Sequence, residues 1–181
     1  MYANPVENTK SGLRNLIRQQ RGQSKSHFDF NLITKSPEFI GAKVIGSYRS
    51  FGNEPATEIL NKLILDSGKQ LLLPRLQDGF GIEFCNWDGE LMNLRANGKI
   101  EEPIGATFHG KIDLIILPAL AVDTFGNRLG QGGGSYDRAL GRVDVFTIAL
   151  INENELVELV PSEPHDQKVR AALTPTRLIR F

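Results

Sequence analysis

Asp113-Leu114-Ile115-Ile116-Leu117-Pro118 is followed by the glycine-rich segment Arg128-Leu129-Gly130-Gln131-Gly132-Gly133-Gly134 and then by Ser135-Tyr136-Asp137-Arg138-Ala139-Leu140. The first segment is apolar without interruption, the pattern of a strand buried on both faces in a parallel sheet. Four glycines in five positions let the second take positive φ and bring its amides close to a ligand. The third reads as a short helix whose start offers free N–H groups. Strand, glycine-rich loop and helix in that order are a unit of an α/β fold.

The flanking sequence extends the same pattern. Val143 to Ile151 alternates two apolar sets and reads as another central strand. Residues 43–75 read as strand, loop, helix and strand. Val44 to Tyr48 is the first strand, Glu54 to Asp66 the helix closed by Gly68, and Lys69 to Leu73 the second strand ending at Pro74. Residues 80–87 and 90–95 are expected to pair as a hairpin across Asp88-Gly89. Residues 96–110 are expected to form an irregular loop, and 173–181 a last strand. Residues 24–42 hold a second helix or a loop, with Pro37 as interruption or helix start. Residues 8–21 read as a helix capped by Asn8 or Thr9 and stopped by Gly22, with Leu13, Leu16 and Ile17 as its apolar stripe. The expected architecture is α/β, a single domain over residues 1–181, with a mostly parallel central sheet flanked by helices on both faces. In such sheets ligands bind beyond the carboxyl ends of the strands, where the loops 49–54 and 119–134 fall.

Composition narrows the partners. Twenty-one basic and twenty-one acidic residues cancel, unlike the basic surface of a nucleic-acid-binding protein. The single Cys85 excludes an internal disulfide, and within Ile82-Glu83-Phe84-Cys85 it reads as a buried thiol. His27, His109 and His165 show no metal-ligand spacing. Met1 to Thr9 is polar, and no apolar stretch approaches a membrane span, so no signal peptide and a cytoplasmic setting are expected. Small-molecule substrates, no nucleic acid, no membrane and a monomer complete the expectation.

Lys10, Arg14, Arg18 and Arg21 recur at spacings of four, four and three, so their cations line one helix face. Such a row is either a solvated face or one wall of an anion site. Arg128 can bind a phosphate through two hydrogen bonds, and Asp137 can hold magnesium, a hard cation that prefers oxygen ligands. The glycine segment lacks the lysine-serine/threonine ending of a P-loop. From the residues alone it is a phosphate or anion loop, or else a tight turn between strand and helix. Asp123 has the chemistry of a turn cap as well as that of a ligand.

The run Leu117-Pro118, Asp123, Gly126, Arg128-Leu129-Gly130, Gly132-Gly133-Gly134, Tyr136-Asp137-Arg138 strongly resembles the signature of 5-formyltetrahydrofolate cyclo-ligases. Lys10 and Arg14, Tyr48 with Glu54-Pro55-Ala56-Thr57, Leu73-Pro74-Arg75, Glu102-Pro103, and Pro161 with Asp166 match further landmarks in the right order. The resemblance covers nearly the whole chain. It implies a NagB/RpiA/CoA-transferase-like fold and the ATP-dependent cyclisation of 5-formyltetrahydrofolate to 5,10-methenyltetrahydrofolate. It also implies that Lys10 and Arg14 bind ATP phosphates, while Arg128, Leu129, Gly130, Gln131, Gly132, Gly133, Gly134, Ser135 and Tyr136 wrap the nucleotide. On the same resemblance Lys10, Arg128 and Tyr136 are expected to carry the catalytic roles. It likewise implies that Glu54 binds folate with Phe51 or Tyr48 packed nearby, and that Asp137 and Asp166 hold Mg2+. Arg18 and Arg21 are left as ordinary surface charges.

The chain departs from the family pattern in a few places. Gln131 and Ser135 stand where larger or aromatic residues are common, and Val122 where Phe is. Arg170 occupies the place of a second acid that helps with the metal. A cation cannot ligate magnesium, so Asp166 compensates or the ion rests on Asp137, phosphates and water. These departures keep a non-catalytic folate- or nucleotide-binding module as the alternative. A sugar-phosphate isomerase or acyl-transfer relative is a third reading.

Overall fold

The computed structural model describes residues 9–21 and 26–181. Asn8 as a cap and Gly22 as a stop lie outside the described residues. The elements in chain order are α1 (Lys10–Arg21), α2 (Asn31–Thr34), α3 (Pro37–Gly41), β1 (Val44–Gly46), α4 (Glu58–Asp66), β2 (Gln70–Leu76), β3 (Ile82–Asn86), β4 (Leu94–Asn97) and β5 (Ile100–Pro103). They continue as β6 (Leu114–Pro118), β7 (Ala121–Asp123), β8 (Arg128–Leu129), α5 (Ser135–Leu140), β9 (Phe146–Leu150), β10 (Leu156–Val157), β11 (Ala171–Leu173) and β12 (Leu178–Arg180).

Seven strands form the main sheet in the order β12-β11-β9-β6-β1-β2-β3. The five inner strands are parallel, and β3 and β12 close the two edges antiparallel. From β1 the chain runs outward to β2 and β3, then returns to place β6 on the other side of β1. The boundary between β1 and β6 is therefore the point where strand order reverses, the crevice where such sheets bind ligands.

The unbroken apolar run of β6 now has its reason. Leu114 and Ile116 face the core shared with α2, α3 and α4, whereas Ile115 and Leu117 face the core shared with α5. Because strand side chains alternate, both sets must be apolar. Helices cover both faces, as expected. On the first, Leu60 and Ile64 of α4 are fully buried, each contributing about 1.5–3 kcal/mol relative to exposure. Pro37 opens α3, with the Ser36 hydroxyl accepting from the Phe39 amide. Gly68, at φ +70°, ends α4.

Several local expectations are corrected. β3 does not pair with β4 across Asp88-Gly89; it pairs with β2, so the hairpin turn lies at 77–81. β2 runs past Pro74 to Leu76. Residues 96–110 are not wholly irregular, because β4 and β5 form a hairpin with Gly98 at φ +62° in its turn. α4 starts at Glu58, so Glu54 lies in the loop before it rather than in its first turn. The loop after β6 contains β7 and β8, which with β10 form a separate three-stranded sheet. Leu13 and Ile17 of α1 pack on Leu120, Ala121, Leu129 and Val160 of this layer, which turns the basic face of α1 toward the glycine segment. No helix among the described residues is long and apolar enough to cross a membrane.

Candidate active site

The loops that follow β1 and β6 enclose a cavity of about 430 Å³ beyond the carboxyl ends of those strands. Its wall carries every residue to which the sequence assigns a contact with nucleotide, folate or metal. These are Lys10 and Arg14 from α1, Tyr48, Phe51 and Glu54 from the loop after β1, the continuous run Arg128 to Asp137, and Asp166. Residues from both halves of the chain thus converge on one volume of a size that suits small-molecule ligands.

One end of the cavity is built by α1 and the glycine segment. The Thr9 hydroxyl caps α1 by accepting from the Gly12 amide at 3.0 Å. Arg14 Nε donates to the Gly130 carbonyl at 2.9 Å, Arg18 Nη2 to the Gln131 carbonyl at 3.0 Å, and Arg138 to the Gly133 carbonyl. In a trans peptide the carbonyl and the next N–H point in opposite directions, so each tie also fixes the orientation of the following amide. Gly132 at φ +113° and Gly134 at φ +65°, the latter opening α5, hold conformations that a side chain disfavours.

Arg21 is not the ordinary surface charge expected of it. It is buried, paired with Glu155 through Nε at 2.6 Å and Nη2 at 2.8 Å, and donates to the Ala119 carbonyl. Glu155 also accepts from the Asn152 amide and side chain, so the ion pair sits in a complete network. Arg18 is exposed, yet it holds both the backbone and the side chain of Gln131.

Each remaining cation at this end has an internal partner. Lys10 Nζ contacts Glu163 at 2.5 Å and Asp166 at 2.6 Å. Burial pulls the Lys10 pKa down, but hydrogen bonds and charge attraction from Asp166 and Glu163 outweigh it and leave the ammonium above its ordinary value. Asp166 is pushed up by burial and held below its usual range by Lys10 and the Glu163 amide. Arg128 Nη2 meets Asp137 at 2.9 Å, and its guanidinium lies 5.8 Å from the centroid of the Tyr136 ring. Asp137 also accepts from the Gln167 amide, which places the two predicted metal carboxylates on neighbouring parts of the wall. Glu163, His165 and Asp166 offer ligand atoms within 4.8 Å of one another. Glu163 and His165 are wall residues that the sequence reading missed; their only sequence signal is adjacency to Asp166.

The other end is apolar and acidic. Pro74, Leu76, Ile82 and Ile100 share it with Phe51, Glu54 and Glu102. Burial pushes the Glu54 carboxyl above its ordinary value, against the opposing pull of the Phe51 amide, Gln131 and Arg21. Its oxygens accept from the Phe51 amide at 3.2 Å and from Gln131 at 3.4 Å. The Tyr48 hydroxyl is buried and makes one long contact, 3.5 Å, to the Pro55 carbonyl. The Tyr136 hydroxyl is buried without a hydrogen-bond partner among the described residues. Burial and then the nearby Glu54 raise the pKa of Tyr136, so it remains a neutral phenol that can donate.

Other candidates fall outside the cavity. Asp123 is fully buried and accepts from the amides of Phe125, Asn127 and Val160 and from the Asn127 side chain, so it is a turn brace. Cys85 is buried beside Thr107. Arg170 pairs with Asp144 and does not reach the wall, so it does not place a cation beside Asp137.

A sequence model of the 5-formyltetrahydrofolate cyclo-ligase family matches residues 7–175. A protein of Mycolicibacterium smegmatis named 5-formyltetrahydrofolate cyclo-ligase is 35% identical over 150 residues, covering 76% of each chain. The mouse protein of that name is 29% identical over 96% of this chain and 97% of its own. Among solved structures, the 5,10-methenyltetrahydrofolate synthetase of Aquifex aeolicus superposes with a TM-score of 0.78 at 26% identity, covering 94% of this chain and 92% of the other. A Mycoplasma pneumoniae protein shares the fold, with a TM-score of 0.72 at 19% identity over 91% of this chain and 97% of its own.

Proposed function

The chain belongs to the 5-formyltetrahydrofolate cyclo-ligase family, and from that premise we infer that its cavity cyclises 5-formyltetrahydrofolate to 5,10-methenyltetrahydrofolate while converting ATP to ADP and phosphate. One observation carries the assignment of roles: a cationic, glycine-lined wall and an acidic, aromatic wall enclose the same volume. ATP phosphates suit the first wall, where Lys10, Arg14, Arg128 and the amides of Gly130 to Gly134 gather. Folate suits the second, where the Glu54 carboxylate accepts from ring N–H donors and Phe51 and Tyr48 pack beside it.

The chemistry follows from the weakness of a formamide as an electrophile. Its oxygen attacks the γ-phosphorus, the bond to the β-γ bridging oxygen breaks, and ADP leaves. N10 then attacks the formyl carbon, now bound to a phosphorylated oxygen. The carbon–oxygen bond breaks, phosphate departs with that oxygen, and N10 loses its proton to give the methenyl cation. The protein's part is positioning and charge neutralisation. Lys10 and Arg128 lower the cost of charge moving onto the bridging oxygen. Tyr136 O–H, neutral and without a hydrogen-bond partner among the described residues, donates to an oxygen at the reacting centre.

Asp166, whose ligand atoms gather with those of Glu163 and His165, and Asp137 on the neighbouring wall offer oxygen donors that suit a hard cation such as Mg2+ completed by phosphate and water, once they exchange Lys10 and Arg128 for the ion. When bound, that ion neutralises phosphate charge. The alternative of a binding module without catalysis rested on Arg170, whose side chain pairs with Asp144 instead, and on the smaller residues at 131 and 135.

The test is direct. Purified protein is mixed with 5-formyltetrahydrofolate, magnesium and ATP, and the methenyl chromophore is followed. ATP-dependent growth of the chromophore is expected. A folded protein giving no more than the ATP-free control, while still binding folate, would instead be the binding module.

A further inference from the structure

Glu102 is a wall residue that the roles above leave unused. It lies on β5 at the apolar end of the cavity, beside Leu76, Ile82 and Ile100, and is 1% exposed. Its two oxygens differ. Oε1 accepts from the Leu76 amide at 2.8 Å and from Asn97 Nδ2 at 3.0 Å, which ties the β4–β5 hairpin to β2. Oε2 is buried and receives no hydrogen bond from any described residue. Arg95 Nη2 forms an ion pair with Oε2 at 3.5 Å without hydrogen-bond geometry, from a side chain that is mostly exposed. A buried carboxylate oxygen among aliphatic side chains calls for a donor.

We propose that Glu102 is a specificity-determining residue for the folate, its Oε2 accepting a hydrogen bond from an N–H donor on the amino-pyrimidinone edge of the pterin ring. The inference rests on the folate reading above. That edge presents an exocyclic amine beside a ring N–H, and a flat heterocycle suits the aliphatic wall that surrounds the carboxylate. Glu102 thereby joins Glu54 as a second acceptor for the same ring system. A site built around such a donor rejects analogues that lack it, because the acceptor is then left buried and unpaired.

Glu102→Gln isolates the free oxygen. Both neighbours of Oε1 are donors, so they hold the amide oxygen of the glutamine and force its NH2 into the Oε2 position, where it cannot accept. The KM for 5-formyltetrahydrofolate is expected to rise about tenfold or more, with the KM for ATP changed by less than about twofold. The melting temperature is expected to stay within about 2 °C of wild type. An unchanged folate KM in a variant of normal stability would overturn the proposal and leave Glu102 as a hairpin tether. Should the variant melt early, the wild-type complex with 5-formyltetrahydrofolate decides. A ring nitrogen within about 3.2 Å of Oε2 supports the proposal, and a bound folate with no nitrogen near it refutes it. The two levels remain distinct: absence of the ATP-dependent chromophore in wild type sinks the function, whereas an active wild type with an indifferent Glu102→Gln sinks only this inference.

Discussion

The two ends of the cavity handle their polar groups in opposite ways. At the glycine end each cation already has a partner, Lys10 in Glu163 and Asp166, Arg128 Nη2 in Asp137 and Arg14 in the Gly130 carbonyl, although Arg128 Nε is buried with no hydrogen-bond partner among the described residues. Toward the hairpin end, Glu102 Oε2 is buried with no hydrogen-bond partner among the described residues, as is Tyr136 Oη between the two ends. A ligand arriving at the first end must exchange partners, as one anion replaces another. A ligand arriving at the second supplies what is missing. The first arrangement suits a polyanion recognised by charge, the second a ring recognised by the placement of its donors.

The sharpest test of that division is Lys10→Ala. It removes the cation and leaves Asp166 and Glu163 facing the incoming phosphates, so kcat/KM for ATP is expected to fall by ~10²-fold or more, with folate KM changed only a few-fold. Steady-state kinetics with each substrate varied in turn reads this, and equal losses for both substrates would break the two-ended picture. Glu54→Gln is next, with folate KM rising by about tenfold and ATP KM little affected. It also carries a pH signature. Burial raises the Glu54 carboxyl, so the acceptor is present above that raised value and is lost as pH falls through it. Folate binding in wild type should weaken with acid from a higher pH than an ordinary glutamate allows. The variant should lack that part of the difference between profiles.

Gly132→Ala probes the loop itself. The nearest atom to an added Cβ is Arg14 Cζ at 3.6 Å, so space is not the obstacle; the φ of +113° is. A cost of about 1–2 kcal/mol to the loop conformation is expected, read as a rise of several-fold in ATP KM. Arg18→Ala should have the smallest effect, about two- to three-fold on ATP KM, because it removes an exposed tie to Gln131 and no ligand contact. If it matched Lys10→Ala, the distinction between ligand-binding and loop-holding cations on α1 would fail.

Much of this was legible in the sequence. The apolar Leu114 to Leu117, the helix over 135–140 and the convergence of Lys10, Arg14, Glu54 and 128–137 all follow from periodicity, glycine chemistry and resemblance. What escaped reading was long-range. Whether β3 pairs with β4 or β2 depends on strand partners that Asp88-Gly89 does not encode. Arg21 shares the spacing of Lys10 and Arg14, and only the fold brings Glu155 to it. Arg170 stands where the family resemblance leads one to expect an acid, yet its side chain pairs with Asp144. Glu102 was visible as a landmark, but a burial asymmetry between two oxygens of one carboxylate has no sequence signal.

The three guanidinium ties on carbonyls of the glycine-rich segment have a consequence for binding as well as for shape. Glycine-rich segments carry a large conformational entropy, which a ligand must ordinarily suppress when it binds. Here Arg14, Arg18 and Arg138 hold the carbonyls of Gly130, Gln131 and Gly133 through contacts within the protein itself. The ordering cost is met during folding. When Arg14 exchanges the Gly130 carbonyl for a phosphate, the Arg18 and Arg138 ties still hold the segment at Gln131 and Gly133, so less of the ordering cost falls on nucleotide capture.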